Sequence, residues 1–300
     1  MYWIILSLIY AIFNAIYIAF NETKHFNGYV LGIWRGFGIS IISLPLLITT
    51  NLELSPTLIL ILIIQGLMIG IYDSHVFFAS AKYGANTSSG FMATSVIITS
   101  LLWWIIEYHD FQQLMQNKTK LLNITFILIG FSISYWQMMK VHITESAEQY
   151  LYPAVFSLAI MSIATRYIAI NNTSVFTGVS YYLTISCFIS GVYNLILFLI
   201  LPPNMSLDKS NPLPSSKPIK KKDLLIAPIK SHSAIWLIIF SIILITAKTL
   251  ALRMSENPTY VVSILLLTPI FSEIIKTRQL KITQAKLLVI TFLILMLFQT

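Results

Sequence analysis

The sequence predicts an all-α polytopic membrane protein of about ten transmembrane helices, built as two inverted five-helix repeats. Three observations predict it: the apolar content, the spacing of the apolar runs, and a short motif that returns half a chain later. Of 300 residues, 57% are hydrophobic and 10% charged, against about 45–50% and about 25% in an ordinary soluble protein. A spanning helix takes about 20 apolar residues, so ten would use roughly two-thirds of the chain and leave short connections.

The runs fall near 3–20, 29–50, 57–80, 87–106, 121–139, 150–170, 175–201, 233–252, 258–275 and 284–299. Polar or turn-forming residues separate them, among them Asn21 to Gly28, Asn51 to Pro56, Gly84 to Asn86, Glu107 to Lys120, Asn171 to Thr173, Ser255 to Pro258 and Lys276 to Lys281. Backbone polar groups in lipid must be paired within their own segment, so each run is expected to be a helix; the period-2 alternation of a membrane barrel is missing. The first run follows Met1, Tyr2 and Trp3 without a basic n-region or a small-residue cleavage site, and is read as a retained span. Segment 202–232 stands apart, with Pro202, Pro203, Pro212, Pro214, Pro218 and Pro228 beside Lys220, Lys221 and Lys222. It is expected to be a solvated, mobile loop.

Tyr17-Ile-Ala-Phe-Asn-Glu-Thr23 recurs as Tyr167-Ile-Ala-Ile-Asn-Asn-Thr173, and each copy closes the first long span of its half. A second pair agrees: Ala81-Lys-Tyr-Gly-Ala-Asn-Thr87 ends the third span and Leu252-Arg-Met-Ser-Glu-Asn-Pro258 the eighth, the larger offset being what the long loop adds. The repeats are therefore 1–149 and 150–300. Five is odd, so the two halves lie in the membrane with opposite orientation. Inverted repeats are how many carriers build two exchangeable gates.

The stretch Phe78-Ala-Ser-Ala-Lys-Tyr-Gly-Ala-Asn-Thr-Ser-Ser89 through Trp104-Ile-Ile-Glu107 resembles the drug/metabolite transporter superfamily, EamA type. That family has an Ala-x-Lys/Arg-Tyr step ending its third helix, small residues opening the fourth and a Glu at the fourth helix's end. Leu121 to Phe131 with Gly130 looks like its fifth helix, and Ala251-Leu-Arg253 with Thr268-Pro-Ile-Phe271 like its eighth and ninth. The chain departs from the pattern at Thr94, where Pro is frequent, at Asn123 and Lys286, where Gly is frequent, and at Glu273, which does not match the terminal Glu of the ninth helix. The resemblance implies ten helices, a central cavity between the halves lined mainly by helices 1, 3, 4, 6, 8 and 9, and alternating access, without naming a substrate. It also implies cytoplasmic termini, whereas the charge rule points the other way. With the termini inside, Lys24, Lys82, Lys140, Lys217, Lys220, Lys221, Lys222, Lys276 and Arg278 face out, and mainly Lys118, Lys120 and Arg253 face in.

Ionisable side chains inside spans cost roughly 2.5–3.5 kcal/mol at the centre of an inserting helix, so each needs a reason. The candidates are Arg35 in span 2, Asp73 and His75 in span 3, Arg166 in span 6 and Lys248 in span 8. Arg35 and Asp73 lie at similar depth below the same face, so they can pair; the pair is either a structural bridge or part of a solute site. Arg166 and Lys248 lie near the opposite face, where long cationic chains snorkel, or else they face the cavity. Three cations against one carboxylate favour an anionic or zwitterionic solute. Asn14 with no carboxylate in span 1 separates the chain from the small multidrug pumps, whose first helix carries a Glu. Asp73 and His75 are the residues suited to proton coupling. Among the aromatics, Trp103, Trp104, Tyr152, Tyr181 and Tyr182 sit near span ends, where belts are expected, and Tyr72 is the cavity candidate. Gly66 and Gly70 read as a packing contact.

The expected function is therefore a secondary transporter moving a small organic solute, such as an amino acid, a nucleotide-derived compound or another metabolite, with no cofactor or metal. The rival is a polytopic enzyme acting on a lipid; for it the chain offers only the group Glu107, His109 and Asp110, without metal-ligand spacing elsewhere. The net charge of +8 is scattered between apolar runs and suits anionic membrane lipids rather than nucleic acid. Cys187 is the single cysteine, which excludes an intrachain disulfide. The abundance of Ile, Asn and Lys suggests an AT-rich genome and a bacterial inner membrane.

Overall fold

Four helices begin where the sequence supplies a capping side chain. A computed structural model describes residues 2–50, 54–92, 94–139, 145–172, 174–201, 220–255, 257–278 and 283–297. Helix α1 (Tyr2–Ala19) stops at Asn21, whose side chain accepts from Phe26 N at 2.8 Å and donates to Phe26 O at 2.8 Å and Phe77 O at 3.0 Å. Asn27 then caps α2 (Gly28–Ile48), accepting from the N–H groups of Tyr29 and Val30. Ser55 caps α3 (Pro56–Tyr83), with Pro56 in the first turn, where its missing N–H costs nothing. Gly84 ends α3 at φ 86°, a conformation that favours glycine. Ser174 and Asn257 cap α9 (Val175–Tyr181) and α13 (Pro258–Ile264) in the same way.

The remaining helices are α4 (Ala85–Met92), α5 (Ser95–Ile106), α6 (Tyr108–Gln116), α7 (Lys118–Met139), α8 (Glu145–Ile170), α10 (Cys187–Ile200), α11 (Lys221–Lys230), α12 (Ser233–Met254), α14 (Thr268–Thr277) and α15 (Gln284–Leu297). Among the described residues every regular element is helical. Eight helices among the described residues are long and apolar enough to cross a membrane, counting α4–α5, α9–α10 and α13–α14 as one each. The chain is thus an all-α, multi-pass membrane protein. The other two predicted runs also form helices, α7 and α15, which pack on each other; the apolar part of α7, Leu121–Gln137, is shorter than a full span.

Two expectations need correction. The break expected at 107–120 contains α6 and the start of α7. The loop expected over 202–232 is helical at its C-terminal end as α11, while 202–219 lies outside the described residues. Helix α11 forms because it has a surface to lie on: Leu224 and Leu225 pack beside Val30 and Ile33, and Trp34 Nε1 donates to Leu225 O at 2.8 Å.

Three apolar helices are interrupted inside the bundle. Between α4 and α5, Thr94 turns its hydroxyl back onto Phe91 O at 2.6 Å. Between α13 and α14 a 3₁₀ turn covers Leu265–Leu267, just before Pro269, which lacks the N–H that would continue the ladder. Between α9 and α10 lies a π turn, Tyr182–Ser186, held by Ser186 donating to Gln65 Oε1 at 2.9 Å while Gln65 Nε2 donates to Thr165 Oγ1 at 2.8 Å.

Packing runs in pairs: α1 on α12, α3 on α8, α2 on α10, and α7 on α15. Helix α1 also meets α13 and α14, while α8 meets α4 and α5; α3 meets α10, while α12 meets α2; α4 meets α14, while α5 meets α13. Glycines set the closest approaches. A Cβ at Gly66 would stand 2.7 Å from Ser186 O, and one at Gly70 2.5 Å from a Tyr193 ring carbon, so these two glycines do mark a packing face, against α10. A Cβ at Gly36 would lie 2.5 Å from Gly191 N and 2.6 Å from Gly191 Cα. Backbone cannot rotate aside as a side chain can. Gly36→Ala is therefore expected to lower stability by about 1–3 kcal/mol. Gly38→Ala, which meets only the flexible end of Ile238, should lose less. Thermal unfolding of both variants in detergent checks the order.

Candidate functional site

Helix α1 is amphipathic in the sense opposite to a soluble helix. Ser7, Tyr10, Asn14, Tyr17 and Asn21 recur every three or four residues and are all buried, whereas Tyr2, Ile5 and Ile12 face outward. A polar stripe turned inward from an apolar helix builds a polar interior into a membrane bundle.

Next to this stripe α2 and α3 bring together the two charges predicted to pair. Arg35 Nη1 donates to Asp73 Oδ2 at 2.5 Å, and Tyr17 Oη donates to Asp73 Oδ1 at 2.5 Å, so each carboxylate oxygen has its own donor. Arg35 Nε donates to Ser241 Oγ on α12 at 3.2 Å, and the guanidinium lies 5.2 Å from the Tyr17 ring centre. Arg35 is 3% exposed and Asp73 fully buried. Two charges so deep hold each other's desolvation cost only because the geometry is close and the spare lone pairs are used.

Tyr72, one residue before Asp73, donates to Asn14 Oδ1 at 3.3 Å and stacks on Tyr17 with centroids 6.4 Å apart. Lys248 stands two turns from Ser241 on α12, 1% exposed, with Nζ 5.7 Å from the centre of the Tyr10 ring. Its amine has no hydrogen-bond partner among the described residues. Lys248 therefore does not snorkel: α12 turns it onto α1, into the bundle.

Five of the seven residues singled out from sequence, Asn14, Arg35, Tyr72, Asp73 and Lys248, thus line one interior region. The other two lie elsewhere. His75 Nδ1 is 3.0 Å from Tyr150 O and its ring rests on the Tyr150 ring, at the start of α8. Arg166 donates to the carbonyl oxygens of Leu252 and Arg253, tying the end of α8 to the end of α12, where free carbonyls favour a cation. Arg253 returns the tie, donating to Ala169 O at 2.7 Å and Asn172 O at 3.0 Å. Glu273 bonds to Lys286, and Glu22 to Lys276 at 2.5 Å.

Sequence reasoning missed Tyr10, Tyr17 and Ser241 as parts of the site. Tyr10, Asn14 and Tyr17 carry a usable signal, a spacing of four and then three residues inside an apolar run; Ser241 carries none.

Two further polar stripes lie on the interrupted helices. Ser95, Thr99 and Trp103 on α5 and Thr268 and Ser272 on α14 are buried, and the polar side-chain atom of each lacks a partner among the described residues. Helix α5 turns toward α8 and α13, and α14 toward α1 and α4. Glu107 and His109, at the α5–α6 junction, face outward, and among the described residues no three His, Cys, Asp or Glu side chains are grouped to hold a metal. Comparison with protein-family models and with curated proteins finds no match to this chain.

Proposed function

We propose that the chain is a ten-helix secondary transporter of two inverted repeats, akin to the EamA-type drug/metabolite transporters, that moves a small anionic or zwitterionic organic solute by alternating access. The observation that carries this reading is the helix pairing. Let α1, α2, α3, α4–α5 and α7 be the five spans of one half, and α8, α9–α10, α12, α13–α14 and α15 those of the other. Exchanging the halves turns the α1–α12 contact into α8–α3, α3–α10 into α12–α2, and α4–α14 into α13–α5, each of which is present. The α2–α10 and α7–α15 pairs map onto themselves. The fourth span of each half is interrupted after its first segment, at Thr94 and at Leu265–Leu267. Ser95 and Thr268 open the second segments, and Thr99 and Ser272 follow one turn later, so the unpartnered stripes correspond as well.

Such an arrangement supplies two alternative packings of similar energy, related by a pseudo-two-fold rotation about an axis in the membrane plane, which is what a carrier needs. The charges do not follow the exchange: Tyr17 is buried on Asp73, while Tyr167, its counterpart in the repeated motif, is outward-facing. The repeats supply the motion, and one half together with Lys248 supplies the chemistry. A bacterial inner membrane and cytoplasmic termini belong to the same proposal.

The test is counterflow. The protein, reconstituted in liposomes, is loaded with unlabelled amino acids, carboxylates or nucleotides and offered the labelled compound outside. Saturable, protein-dependent exchange of one class is expected. A folded, monodisperse protein that exchanges none of them while hydrolysing or modifying an added lipid would replace the carrier with a membrane enzyme.

A further inference from the structure

Among the described residues, the interior carries one cationic group without a counter-charge. Arg35 and Asp73 cancel at 2.5 Å. Lys248 has Tyr10 beside it and no acceptor among the described residues. Among the other charged side chains described in the spans, Arg166 and Arg253 are engaged on backbone carbonyls and Glu273 on Lys286. A buried ammonium without an acceptor is costly, and nothing in the packing of α12 requires one: a methionine would fill the same space without the charge. Its use must come from something the packing of the chain does not supply.

What that something is follows from the acceptors. Asp73 already takes Tyr17 on one oxygen and Arg35 on the other, and Asn14 Oδ1 takes Tyr72. A bound amino acid would bring an ammonium as well as a carboxylate, and the ammonium would find no uncompensated negative charge, because Asp73 is already matched by Arg35. A dianion would leave one negative charge uncompensated in the bundle. A monoanion matches the surplus. Two hydroxyls that lack partners among the described residues, Thr268 and Ser272, lie on the helix that packs against α1. The rings of Tyr10, Tyr17 and Tyr72, all buried, give the monoanion's carbon skeleton an apolar wall.

We propose that Lys248 binds the carboxylate of the solute, and that the solute is an organic monocarboxylate without an amino group, held between Lys248 and the Tyr10 face of α1. This rests on the carrier reading and narrows it from anions and zwitterions to one charge type.

The test separates binding from transport. Purified full-length protein in detergent is titrated, with thermal unfolding as readout, against two matched sets: butyrate, 2-aminobutyrate and succinate, then 3-phenylpropionate, phenylalanine and benzylsuccinate. In at least one set the monocarboxylate is expected to bind at least tenfold more tightly than the zwitterion and the dianion. Lys248→Met should lose that binding and Lys248→Arg should keep part of it, which separates loss of charge from loss of fold. Equal binding of the zwitterion, an unchanged response in Lys248→Met, or no response to either monocarboxylate in the unmodified protein overturns the proposal. Liposome exchange of amino acids that Lys248→Met leaves intact would also overturn it while leaving the carrier standing; binding as expected without exchange would instead count against the carrier.

Discussion

Asp73→Ala should lose about 3–5 kcal/mol of stability, because it strands the Arg35 guanidinium in the bundle with the Ser241 hydroxyl and the Tyr17 ring but no counter-charge. The Tyr17 hydroxyl loses its acceptor in the same step. Arg35→Met should be similarly harmful, for it leaves the carboxylate buried without its cation. The double variant Arg35→Met/Asp73→Leu removes both charges and keeps most of the volume, so it should recover much of the loss, as buried pairs replaced together usually do. Unfolding of the three variants in detergent measures this directly. The double variant also decides what the pair is for. If it folds and exchanges solute at the unmodified rate, the bridge is structural only; the expected result is a folded protein whose exchange falls at least tenfold, because Tyr17 and Arg35 then no longer hold the polar wall of the site in place.

The sequence makes the spans legible because the bilayer simplifies the problem: a run of apolar residues in lipid has one way to satisfy its backbone, and Asn27, Ser55, Ser174 and Asn257 mark where helices start. Arg35 and Asp73 were readable as a pair for the same reason, since two buried charges at one depth need each other. Which way Lys248 points was not readable. Six residues from the end of α12, a lysine can reach the headgroups or turn inward, and only the rotation of α12 against α1 decides it. Helix α11 was not readable either, because this short mixed segment lies on Val30, Ile33 and Trp34, a surface far away in sequence. His75 shows the converse limit. It sits two residues from Asp73, yet a two-residue step on a helix points to another face, here toward Tyr150.

Lys248→Met should make the protein more stable and less active at once. Ordinary core residues contribute to stability, and their loss costs; a buried amine without an acceptor does the opposite, burdening the folded state by on the order of 1–3 kcal/mol. Met has similar length, no charge and enough flexibility to fill the space beside Tyr10. The midpoint of thermal unfolding is therefore expected to rise while solute exchange falls at least tenfold. Stability gained by removing a residue, with function lost, identifies strain kept for use rather than for folding. Lys248→Glu provides the opposite control. It places a second carboxylate in a region whose remaining cation, Arg35, is already paired with Asp73, and next to the face of Tyr10, whose ring attracts cations and not anions, so it should lose both stability and exchange. If Lys248→Met instead unfolds more readily than the unmodified protein, the amine has a structural partner in the folded chain. Its place in the solute site would then have to be given up.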